Sequence, residues 1–181
     1  RLVLSTFLST AAEGDRATLE PYHVASEKPR ARDGGATAAV RSVVAAARKR
    51  QDALAKSGLK DILGQLAERG HDTVHACLLV NRAGWMTDLL AYSLMDPGHP
   101  PVAEGLAVRD ALRHAFMSLK LPSSETDEKS LPGLAHAVLS LSPGEIEAQL
   151  KALGAKAGRP WRKEQKLACL AAWVSSHASS A

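Results

Sequence analysis

The chain has 181 residues, a formal charge of +4, and 45% hydrophobic residues but only 4% aromatics. That length accommodates one domain with a real core and excludes two comfortable ones, and a core drawn from Ala, Leu and Val favours closely packed helices over sheets. No uncharged apolar run approaches the roughly 20 residues that span a bilayer, so membrane insertion is not expected.

Two cysteines, Cys77 and Cys169, lie outside any CxxC pattern. They suit a reducing or mitochondrial compartment better than secretion. Removal of a targeting peptide would explain a start at Arg1. The charge is unevenly spread: residues 1–60 carry 11 basic and 6 acidic side chains, 61–128 carry 5 and 10, and 129–181 carry 7 and 3. An acidic middle therefore lies between two basic arms.

In chain order, Leu2, Leu4, Phe7 and Leu8 make a short apolar opening. Residues 12–36 then read as extended, because Gly14, Pro21, Pro29, Gly34 and Gly35 interrupt any helical period. Residues 1–35 are accordingly expected to form an N-terminal arm that orders only against a partner chain, and 36–181 a helical domain. From Ala36, Val40, Val43, Val44, Ala47 and Leu54 recur at helical spacing up to Gly58. Leu59, Ile62, Leu63 and Leu66 predict a second helix closed by Gly70, and Val74, Cys77, Leu78 and Asn81 a third stopped by Gly84. A fourth carries Trp85, Leu89, Tyr92 and Met95 and ends at Asp96-Pro97-Gly98. Each of the four glycines is expected in a turn between antiparallel helices.

After Pro100-Pro101, Leu106, Ala111, Leu112, Ala115, Phe116 and Leu119 predict a longer helix that Pro122 terminates. Residues 123–130 read as a polar loop, and Leu134, Val138 and Leu141 as a short helix. Ser142-Pro143-Gly144-Glu145 is the clearest helix start, a capping box with proline in the first turn. Ile146, Leu150 and Leu153 follow on that helix. Trp161, Leu167, Leu170, Trp173 and Val174 belong to the last.

Catalytic signatures are absent: there is no GxSxG elbow, no phosphate-binding glycine loop and no clustered Cys/His set. His71 and His75 share a helical face, but the residue after His71 is Asp rather than Glu, and Cys77 would point about 160° away from His75. No catalytic residue, cofactor or metal is therefore expected. Two basic clusters are the candidate partner-binding residues: Arg48, Lys49 and Arg50, and Arg159, Trp161, Arg162 and Lys163. The second interleaves an aromatic ring with cations, as nucleic-acid surfaces do. A solvated helix face is the commoner explanation of each cluster, and composition does not separate a nucleic-acid surface from one for an acidic protein.

Leu-Ala-Glu-Arg-Gly-His-Asp-Thr-Val-His at 66–75, Arg82-Ala83-Gly84, and Leu89-Leu90 with Met95, Gly98 and Pro100 together resemble pentatricopeptide repeats. The resemblance covers about a quarter of the chain, and the 28 residues from Gly70 to Gly98 fall short of the mid-thirties period of such repeats. It implies an all-α fold of stacked antiparallel helical hairpins, a short α-solenoid, behind the extended N-terminal arm. Most members of that family bind organellar RNA. The acidic middle and the room for only about three hairpins turn the expectation elsewhere. In size class and repeat type the chain is similar to an accessory subunit carried outside the catalytic head of euglenozoan mitochondrial ATP synthases. The expected function is thus a non-catalytic accessory subunit of a complex in the mitochondrial matrix, ATP synthase F1 foremost, that binds other protein subunits. An organellar RNA-binding protein is the alternative.

Overall fold

The computed structural model describes residues 15–80 and 86–178. They form eight helices and one two-stranded sheet, so the fold is mostly helical. None of these helices is long and apolar enough to cross a membrane. The chain divides into two compact units. Residues 15–74 and 86–122 make a helical unit, and 75–80 and 123–178 a mixed one.

The helical unit contains α1 (Arg16–Leu19), α2 (Pro21–Ser26), α3 (Ala38–Glu68), α4 (Leu89–Met95) and α5 (Pro100–Ser118). Thr37 caps α3, its side chain accepting from the Val40 amide. The helix then runs 31 residues without a break. The turn expected at Gly58 does not form: helix-forming Ala, Leu, Lys and Gln on both sides outweigh the cost of about 1 kcal/mol for one interior glycine. Gly70 does end the helix, at φ +76°. The His71 amide bonds the Leu66 carbonyl and the Gly70 amide the Ala67 carbonyl, a Schellman closure.

Alanines 103, 107, 111 and 115 line α5 four residues apart, all at most 3% exposed. This row lets α3 approach closely. Val40 and Val44 share a core with Ala103 and Ala107, Arg48 bonds at Ala107 and Asp110, and Ala55 and Leu59 pack with Ala111 and Ala115. Contact positions rise together along both helices, so α3 and α5 run in the same direction and do not form an antiparallel hairpin. Gly98 lies, as expected, in the turn between α4 and α5.

The expected extended arm is corrected over 16–26. Asp15 caps α1, Pro21 opens α2, and Thr18, Pro21, Tyr22 and Ala25 are buried within the same unit. Few apolar side chains suffice here because Glu104 of α5 accepts from the Tyr22 and His23 amides at 2.7 and 3.2 Å. The segment is thus ordered by its own chain.

In the mixed unit, β1 (Ala76–Val80) pairs in parallel with β2 (Ser123–Asp127), Ala76 opposite Ser123 and Val80 opposite Asp127. Both were expected otherwise, the first as helix and the second as loop. The apolar run of β1 is short enough to suit either period, and the ladder to β2 decides it. Beside the sheet lie α6 (Leu131–Leu139), α7 (Pro143–Ala157) and α8 (Lys163–Ala178). Their core holds Leu131, Ile146, Leu150, Leu170 and Val174, with Cys77 and Leu79 of β1 packed against it. The capping box at Ser142 and Glu145 forms as the sequence predicts. The turn expected at Gly84 and the apolar opening of the chain lie outside the described residues.

Candidate functional site

The two basic clusters of the sequence take different places. Arg48 is half-buried in the helical unit. Its guanidinium donates to Gln51 Oε1 at 2.6 Å and to the Ala107 carbonyl, and lies 3.6 Å from Asp110. Arg50 Nε donates to Thr18 Oγ1 at 2.6 Å, and Gln51 Nε2 to the Thr18 carbonyl at 2.7 Å. Both arginines therefore tie α3 to its neighbours, while Lys49 is exposed. Adjacent positions on a helix point about 100° apart, so the triplet does not make one patch.

The second cluster does come together. Arg159, Pro160, Trp161 and Arg162, in the link from α7 to α8, line an open concavity of about 590 Å³. The indole lies directly over Gly154 of α7: a Cβ there would sit 2.3 Å from Trp161 Cδ1 and Nε1. The indole N–H is buried in this seat and meets no acceptor among the described residues. At the start of α8 the Arg162 amide donates to Gln165 Oε1 at 2.9 Å. Lys163, its side chain 75% exposed, pairs through Nζ with Glu128 at 3.3 Å. That ion pair leaves the Arg159 and Arg162 side chains, both exposed, as the cations lining the concavity.

His75 and Cys77 are spent across the β1–β2 ladder, His75 Nε2 lying 2.9 Å from Ser124 Oγ and Cys77 Sγ 3.4 Å from Thr126 Oγ1. No group of three or more His, Cys, Asp or Glu side chains is placed to hold a metal among the described residues.

Two features escape a reading by sequence. One is the polar junction at Glu104. Burial raises its carboxyl above the ordinary range, opposed by the His23 and Tyr22 amides and by the nearby His23 ring. His23 Nδ1 stands 3.7 Å from Glu104 Oε1, too far for a hydrogen bond but within ion-pair reach. Burial also pushes the Tyr22 hydroxyl up to about 12, against the pull of Arg48. Nothing in the sequence marks a glutamate near a helix start as the partner of amides some 80 residues earlier.

The other is the far end of α3. Leu59 packs on the α5 alanines, but among the described residues Ile62, Leu63 and Leu66 on the same face join none of the buried clusters, and each is only partly buried. Helical spacing keeps these three leucines and one isoleucine within about 100° of arc. Ala55 and Leu59 share a cluster with Ala111 and Ala115 in the last two turns of α5, and the apolar stripe of α3 runs on beyond Leu59.

No protein-family model, curated protein or solved structure matches the chain. The functional reading therefore rests on its own residues.

Proposed function

We propose that this protein is a non-catalytic accessory subunit that docks onto other protein subunits through the end of α3. The observation that carries this is the stripe of Leu59, Ile62, Leu63 and Leu66, of which only Leu59 joins a buried cluster among the described residues. Burying such a face removes apolar area from water at roughly 25 cal/mol per Å² and needs no charge complement. The host assembly we propose, from the repeat resemblance, is a mitochondrial matrix complex with ATP synthase F1 first. Within that reading the repeat-type hairpin is kept for α4, Gly98 and α5.

The test is a tagged full-length chain carrying Leu63→Glu and Leu66→Glu, expressed in its own cells and sedimented from a gentle extract. We expect the unaltered protein to migrate with a large assembly and the double variant as a free chain, with the same circular dichroism. Unaltered sedimentation of the double variant would sink the proposal. Release of the unaltered protein by ribonuclease would favour the RNA-binding alternative instead.

A further inference from the structure

We propose that the concavity at Arg159–Arg162 is a nucleotide-binding site, in which a nucleobase lies on the Trp161 indole and its phosphate between the Arg159 and Arg162 guanidiniums. The site is in the mixed unit and is independent of the α3 stripe. The concavity, about 590 Å³, is open to solvent, as suits a base stacked from outside on an exposed strip of the chain. Its lining combines the flat Trp161 indole and the Pro160 ring with two exposed cations, Arg159 and Arg162. Each part answers one part of a nucleotide. A base offers a π face that stacks on an indole, and a guanidinium fork matches two phosphate oxygens at once. An acidic peptide would use the cations but offers the indole no planar partner.

The indole is held for this role. Gly154 is the only residue type whose backbone admits the ring this close, since any Cβ would overlap it. The ring is thus seated against α7 with its N–H buried before any ligand arrives, which lowers the ordering cost of stacking. The surrounding field suits an anion. Residues 129–181 carry 7 basic against 3 acidic side chains, and the neighbouring Glu128 is engaged by Lys163.

A free nucleotide and a nucleotide within single-stranded RNA share this chemistry. The experiment is fluorescence anisotropy of the full chain with a labelled single-stranded uridine hexamer, with AMP and unlabelled hexamer as competitors. We expect Arg159→Gln with Arg162→Gln to weaken binding more than tenfold and to make the log–log salt slope shallower by about 0.7, the share of the one phosphate they hold. Trp161→Leu, which fills the seat without a comparable π face, should weaken it roughly tenfold. Displacement by AMP assigns the site to free nucleotides, and displacement by the hexamer alone assigns it to RNA. The proposal is overturned if neither probe binds at millimolar concentration, or if the arginine double variant keeps wild-type circular dichroism and unchanged affinity. It is equally overturned if a glutamate oligopeptide displaces the hexamer as well as RNA does.

Discussion

The two units solve the same packing problem in opposite ways. The seam between α3 and α5 is made of absent side chains: Ala47, Ala103, Ala107 and Ala115 have no exposed surface, and Arg48 reaches the Ala107 carbonyl across it. In the mixed unit large side chains fill the space, with Leu131 fully buried among Ile146, Leu150 and Leu170. A core of close backbones is vulnerable to added volume, and a core of large side chains to its removal.

The largest expected effect tests that contrast. Leu131→Ala should cost about 2–5 kcal/mol through lost burial and the cavity left behind. Ala107→Leu, a gain in hydrophobicity, should still cost about 1–3 kcal/mol because the inserted carbons force the two helices apart. Urea unfolding followed by circular dichroism measures both. A neutral or stabilising Ala107→Leu would break the comparison.

What the sequence made legible follows the same division between local and distant causes. The start of α7 and the end of α3 could be read because Ser142, Glu145 and Gly70 act on amides and carbonyls within a few residues. Strand β2 could not, since Ser-Ser-Glu-Thr-Asp has no apolar period and is a strand only through its ladder to β1, 47 residues away. Helices α1 and α2 were hidden for a related reason: the carboxylate that receives the first amides of α2 is on α5, and the side chains that hold Thr18 of α1 are on α3. Of the candidate site, the run from Arg159 to Lys163 was legible as adjacent letters. Its seat was not, because a glycine within a helical pattern reads as a weakness and gives no hint of the ring lying on it.

An intermediate effect belongs to the helical unit, where a polar contact does what apolar burial does elsewhere. Glu104→Ala removes the acceptor of two backbone amides and should cost about 2 kcal/mol. Glu104→Gln keeps an acceptor and removes the charge. Burial holds the native carboxyl above its ordinary 4.5, so the folded chain prefers it protonated. The stability this contributes is complete below 4.5 and is lost as pH rises through the raised folded value. Wild type should therefore gain on Glu104→Gln as pH falls from 7 towards 4, as read from paired urea midpoints. The opposite trend would show that the two amides, and not burial, dominate this carboxyl.

The smallest expected effect compares helix starts across the two units. Thr37 caps α3 from one side, accepting the Val40 amide at 3.3 Å. Ser142 caps α7 reciprocally: its Oγ accepts the Glu145 amide at 3.4 Å, while Glu145 Oε2 takes the Ser142 amide at 2.8 Å and its hydroxyl at 2.6 Å. Those bonds from Ser142 hold the Glu145 carboxyl below its ordinary range. Ser142→Ala removes the hydroxyl from both of its bonds and should cost about 1 kcal/mol, somewhat more than Thr37→Ala. The Glu145 carboxyl should move back up in an NMR titration, since the remaining amide bond is the weaker of its two Ser142 contacts. Amide exchange should quicken in the first turn of α7 and stay unchanged at the start of α3. Equal costs for the two alanine variants would mean that the glutamate arm of the box adds nothing, and that one accepting oxygen is all either helix needs to begin.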